Sequence, residues 1–373
     1  MQWREIKYQD AATRCYLGSP SLVRTPAGDL LVTHDYFGPG CPRNHENEEH
    51  LTSVYRSADE GLTWTNVTHI AGAFWSSLFV HRDAIYLLGT SQQYGSSVIR
   101  RSEDNGNTWT HPRDERSGLL FRGGPFREPP NYHCAPVPVL EKDGWLYRAF
   151  EDMRGTRWGV DFEALVIAAN AGADLLDASS WTMSNRIRFD PQWPPKQWGE
   201  PVGPGWLEGN VVPTPGGELV NILRVHSAPA ADKAAVVRVA DGGASISFDP
   251  ATGFIDLPGG MTKFTIRRDP ATGVYLTLSN NNTDPRYPGQ RNVLSLHQSD
   301  DLTSWRHVLT LLEDDQGLAW EESVRLTGFQ YVDWQLHGDD IIYVVRMAYG
   351  GAHNFHDANR ITFHRLESFR GLL

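Results

Sequence analysis

The chain has 373 residues, 40% of them apolar and 21% charged, which excludes a wholly disordered polymer and leaves ample length for a buried core. A net charge of −11 with no basic tract excludes nucleic acid and anionic membranes as natural partners, and no run approaches the roughly 20 apolar residues of a membrane span. The start, MQWREIKYQD, has no apolar h-region, so the expectation is of no signal peptide and of a cytoplasmic protein or the processed form of a secreted one. The three cysteines, Cys15, Cys41 and Cys134, are odd in number and lack CxxC spacing, so neither a disulfide framework nor a zinc–cysteine site is expected. With 13 Trp, 35 Gly and 23 Pro, the chain calls for repeated structural tryptophans or a sugar-stacking site.

In chain order, WREIKY (3–8) reads as a strand able to close a ring against the last sheet. Six hairpins follow, each an apolar run, a turn and a second apolar run: SLVRTPAGDLLVTH (21–34), SLFVHRDAIYLLGT (77–90), APVPVLEKDGWLYRAF (135–150), NVVPTPGGELVNILR (210–224), FTIRRDPATGVYLTL (264–278) and YVDWQLHGDDIIYVVR (331–346). Helical periodicity is nearly absent. RSADEGLTW (56–64) and RSEDNGNTW (101–109) share the form RSxDxGxTW, with weaker copies at 299–305 and 177–181. In each, Asp caps local backbone donors, Gly takes positive φ and Trp opens a strand. The Pro/Trp-rich stretch 191–206 reads as a long ordered loop. At about 60 residues per unit, this pattern predicts an all-β, six-bladed propeller in one domain over 1–373, with seven blades as the alternative because 150–205 divides poorly.

RSxDxGxTW is the Asp-box (BNR repeat), and over nearly its whole length the chain resembles the sialidase-like superfamily of six-bladed propellers. That resemblance gives Asp59, Asp104, Trp64 and Trp109 structural roles on the blade periphery. It puts the ligand on the axis, at the face built by the starts of the innermost strands and the ends of the second strands. Sialidases use a tyrosine nucleophile paired with a glutamate, an aspartate acid/base and three arginines on the substrate carboxylate. The resemblance therefore implies Glu208 as the partner of the tyrosine, Tyr349 as the nucleophile, Asp35 as the acid/base and Arg224 as the second arginine. The chain departs from the pattern at the first arginine, where Gly18 stands, and at the third, where blade five offers Lys263, with Arg286 and Arg291 in a loop.

The expected rim is rich in carboxylates, imidazoles, arginines and aromatics, as a carbohydrate site requires. The candidates for catalysis are Asp35, Glu208, Tyr349 and His133. Those for substrate binding are Arg224, Lys263, His34, Arg346, Trp206, Tyr132, Gln93 and Glu151. His353 and His356 are a possible metal pair; no cofactor is otherwise expected. The leading expectation is an exo-acting glycoside hydrolase on an acidic or α-linked oligosaccharide or polysaccharide. The alternatives are a lyase that eliminates next to a uronic acid, with His133 and Tyr132 or Tyr349 moving protons, and a non-catalytic glycan-binding propeller.

Overall fold

The computed structural model describes residues 3–373, and within them the chain forms six antiparallel sheets arranged as the blades of a propeller. The innermost strands are Ser21–Arg24, Phe74–His81, Leu140–Lys142, Trp206–Pro213, Thr265–Arg268 and Gly328–His337. Each pairs with a second strand: Leu30–Phe37, Ala84–Thr90, Trp145–Met153, Leu219–Val225, Tyr275–Asn280 and Asp340–Ala348. Arg4–Tyr8 adds to Arg360–Leu366 as the outermost strand of the sixth sheet, so the N-terminal segment closes the ring as expected. One short α-helix, Trp320–Leu326, joins blades five and six. The awkward region after residue 150 belongs to blade three through Phe162–Asn170, Trp181–Met183 and Ile187–Arg188, and the expected loop follows until Trp206 opens blade four.

The apolar runs are nearly continuous because both faces of each blade are covered by neighbours. Successive side chains of a strand point to opposite faces. Leu30 and Val32 accordingly enter the core shared with blade six, while Leu31 enters the core shared with blade two. The repeated turns seal the outer gaps between blades. Asp59 accepts from Thr63 N at 2.9 Å and Thr63 Oγ1 at 2.6 Å, and Trp64 Nε1 donates to the Gly61 carbonyl at 3.1 Å. Asp104, Thr108, Trp109 and Gly106 repeat the arrangement. Gly61 and Gly106 hold φ of 88° and 84° against Phe363 and Leu31 of the preceding blade, where a Cβ would clash.

The sequence expectation for cysteine is corrected. Cys15 and Cys41 form a disulfide that ties the entry of blade one to the loop after its second strand, and Cys134 is the buried free thiol. Counting cysteines in sequence could not show that these two segments lie side by side.

Candidate active site

Three innermost strands, in blades two, four and six, carry the same irregularity close to their start. The register slips between Phe74 and Ser77, between Leu207 and Asn210, and between Gln330 and Asp333. At each slip one non-glycine residue takes left-handed backbone: Trp75 at φ 51°, Glu208 at 56° and Tyr331 at 52°. Such a conformation costs about 1–3 kcal/mol and persists only where its surroundings enforce it. Here each bulge is gripped by a buried polar side chain of the preceding blade. Asp35 Oδ2 accepts from Trp75 N at 3.1 Å, and Glu151 Oε1 accepts from Glu208 N at 2.6 Å. Lys263 Nζ donates to the Val332 carbonyl, next to Tyr331, at 2.7 Å.

The bulges bring the three side chains together. Tyr331 Oη donates to Glu208 Oε1 at 2.9 Å, and the Trp75 ring stacks on the Tyr331 ring with centroids 6.2 Å apart. Arg224 Nη1 lies 2.8 Å from Glu208 Oε2 and 3.4 Å from Tyr331 Oη, so one guanidinium bridges the pair. Arg346 and Arg291 flank the same phenol, at 4.7 and 6.0 Å from its ring centroid. Arg346 is fully enclosed (0% exposed) and sandwiched between Phe37 and Tyr331, whereas Arg224 and Arg291 keep 4% and 8% exposure. Of the three, only the latter two keep any exposed area.

The electrostatics follow from this geometry. Burial is the largest single influence on the Glu208 carboxyl and raises it, but the charge and hydrogen bond of Arg224, with smaller help from His133 and the Tyr331 hydroxyl, together outweigh it and hold the group below the ordinary glutamate value. Tyr331 is raised by burial and by the Glu208 charge against the pull of the three arginines, so its phenol stays protonated while Glu208 is ionised. Burial pushes Asp35 up to about 7 against hydrogen bonds from Thr52 and Trp75 N. Thr52 Oγ1 lies 2.5 Å from Asp35 Oδ1 and 2.7 Å from the Ala73 carbonyl. A hydroxyl has one hydrogen, so a protonated Asp35 donating to Thr52 satisfies all three groups.

No protein-family model matches the sequence, and no curated protein sequence matches it either. Among solved structures the chain is similar to an α-L-arabinanase from Penicillium chrysogenum complexed with arabinobiose, at 15% identity and a TM-score of 0.60, over 100% of this chain and 99% of that one. It is similar to an α-L-arabinofuranosidase from Fusarium graminearum in complex with an iminosugar inhibitor, at 14% identity and a TM-score of 0.57, over 100% and 99% of the two chains. It is also similar to a Hadza microbial sialidase, at 15% identity and a TM-score of 0.61, over 96% of this chain and 66% of that one. The fold is that of the sialidase-like six-bladed propellers.

Of the sequence candidates, Glu208, Arg224, Asp35, Glu151 and His133 gather around this propeller's axis. His133 Nδ1 lies 3.1 Å from Glu151 Oε2, and its ring stacks on Phe162 at 4.6 Å. Glu151 thereby serves the Glu208 backbone with one oxygen and His133 with the other. Lys263 is corrected from ligand to bulge support, its ammonium spent on Val332 and Thr265. Arg346 is corrected likewise, since its Nη2 donates to the His356 carbonyl at 2.7 Å and nothing of it is exposed.

Other candidates leave the site. Tyr349 is no partner of Glu208: its hydroxyl donates to Asp315 and its ring packs edge-on against Trp3 at 5.3 Å. His34 points into the inter-blade core, with its ring stacked on Tyr55 at 5.5 Å and Nδ1 3.0 Å from the Asp35 carbonyl. Trp206 is fully buried among Phe189, Trp193 and Phe248. Tyr132 lies in the core between blades two and three and receives Arg186 on its hydroxyl at 3.4 Å. Gln93 stays on the rim, its backbone N–H donating to the Glu49 carbonyl at 3.0 Å. His353 and His356 both turn Nδ1 to Asp357, at 2.9 and 3.1 Å. Among the described residues no group of three or more His, Cys, Asp or Glu is arranged to hold a metal ion.

The reading of the residues missed Tyr331, whose place in an apolar run looked like core, and gave Arg291 no role. Gly18, where the resemblance to sialidases implied an arginine, is explained by space: a Cβ there would lie 2.9 Å from Asp35 Cβ.

Proposed function

We propose that the protein is an exo-acting, retaining glycoside hydrolase for an acidic, α-linked sugar. The observation that carries this reading is the Tyr331 hydroxyl donating to an ionised Glu208 at 2.9 Å, with Arg224 bridging the two. A phenol already bonded to a buried base is an activated nucleophile. It is neutral until attack, so it suits a sugar whose own negative charge would repel a carboxylate nucleophile.

Tyr331 Oη attacks the anomeric carbon while its proton passes to Glu208. Asp35 gives its proton to the departing glycosidic oxygen, leaving a tyrosyl glycoside. A water molecule then loses a proton to Asp35 and attacks the same carbon. Tyr331 departs and recovers its proton from Glu208, with net retention of configuration. Arg224 and Arg291, which keep some exposed area, hold the substrate anion between them, Arg224 through Nη2 because its Nε and Nη1 are committed to Met261 and Glu208. The similarity to solved glycosidase structures supports this reading, because that scaffold positions residues from several blades on one axis.

The test is a time course on sialosides and uronic-acid-terminated oligosaccharides that follows reducing ends and the ultraviolet absorbance of unsaturated uronate together. New reducing ends without absorbance, and a first-formed product of retained anomeric configuration by NMR, are expected. Rising absorbance would establish elimination, with His133 as the residue to pursue. No product from any acidic glycan would overturn the assignment.

A further inference from the structure

The loop Arg154–Asp161 carries Trp158, 40% exposed on the face where Tyr331 and Arg224 are only 4% exposed. Exposed aromatics are ordinary on mobile loop tips, but this one is built in. Asp161 gathers the loop, accepting from Thr156 N at 3.2 Å, Arg157 N at 3.0 Å, Arg157 Nη2 at 2.7 Å and Arg188 Nη2 at 2.7 Å. Gly159 takes φ 78° where a Cβ would lie 2.5 Å from the His226 ring. The Trp158 indole is 5.4 Å from the His226 ring, 5.8 Å from Phe162 and 5.6 Å from the Arg224 guanidinium.

Two features follow. The indole is held in place before any ligand arrives, so little ordering entropy is lost on stacking. It also touches the arginine assigned to the substrate anion, so it is one sugar's reach from the reacting centre. Exposure rises outward from Tyr331 to Trp158, and in an exo-acting site the part of the glycan that leaves is the part that emerges toward solvent.

We propose, building on the glycosidase reading above, that Trp158 is the platform of a leaving-group subsite that stacks a pyranose ring of the sugar released on cleavage. The apolar C–H face of that ring meets the indole, and its hydroxyls stay in water.

Two substrates with the same acidic sugar test this: an oligosaccharide, and the glycosyl fluoride, whose leaving group has no ring. Trp158→Ala should lower kcat/KM on the oligosaccharide roughly tenfold and change it less than about twofold on the fluoride. Trp158→Phe should restore most of the loss. Equal losses on both substrates would place Trp158 at the reacting sugar or in the fold and overturn the subsite. No loss on either would overturn it as well. A wild-type protein that cleaves neither substrate would instead sink the glycosidase reading; titration of the free leaving-group oligosaccharide by calorimetry then decides the subsite, binding lost in Trp158→Ala supporting it and equal or absent binding in both proteins overturning it.

Discussion

Tyr331 and Glu208 are 123 residues apart in the chain, yet they share one hydrogen bond because each occupies the same bulge of its own blade. Left-handed backbone at both positions turns side chains that regular strands would send into inter-blade cores onto the common axis.

Replacing Tyr331 by Phe removes the nucleophilic oxygen and leaves the ring stack. Turnover of an acidic glycoside should fall at least about a thousandfold, with a melting temperature near that of the wild type. Tyr349→Phe should retain activity. Steady-state kinetics on the two variants discriminates the two tyrosines.

The pH profile of kcat/KM should be bell-shaped. Activity rises with pH as Glu208 ionises, below the ordinary glutamate range because Arg224 and the hydrogen bonds around it together outweigh burial, and falls as Asp35 loses its proton through about 7. Asp35→Asn should remove the alkaline limb together with most turnover of sugar leaving groups.

The same aspartate ties stability to pH. Its folded value is raised above 3.8, so its contribution is complete below that pH and is lost as pH rises through about 7. Asp35→Asn should therefore gain stability relative to the wild type between pH 4 and pH 8. Thermal melts at the two ends of this range measure it.

Lys263→Met removes the ammonium that holds the Val332 carbonyl while keeping the stem packed. Thr265 Oγ1 remains 2.8 Å from that carbonyl, so the fold should survive. Loosening the Tyr331 bulge should lower kcat about tenfold with KM nearly unchanged, whereas a ligand role for Lys263 would raise KM. A split of the two constants decides between these.

Gly18→Ala should destabilise the protein by about 1–3 kcal/mol, because the new methyl meets Asp35 Cβ at 2.9 Å and the Asp35 carbonyl at 3.0 Å. Gly18→Arg should likewise fail to improve recognition of an acidic sugar. Denaturant melts and KM values test the pair.

The blades were legible because each hairpin announces itself by a turn between two apolar runs, and because the Asp–Gly–Trp turns recur. Glu208 and Arg224 were legible as the start and end of one hairpin. Tyr331 was not, since a tyrosine in FQYVDW reads as one more core residue until the bulge is known. A weaker signal was present: Trp75 and Tyr331 lie at equal distances before the last paired residues of their strands, His81 and His337, while Glu208 lies one residue nearer to Pro213. Lys263 and Arg346 were legible as charged residues near the axis, but only packing shows that each is enclosed and donates to a carbonyl, Val332 and His356 respectively. Trp158 escaped notice because a lone tryptophan in a loop carries no periodic pattern.

The threefold recurrence of that bulge has a wider meaning. Blades two, four and six present one backbone socket, each braced by its neighbour, and fill it with an indole, a carboxylate and a phenol. Chemistry on this axis is therefore exchangeable one side chain at a time, because the main chain that aims each group is already in place before the group is chosen.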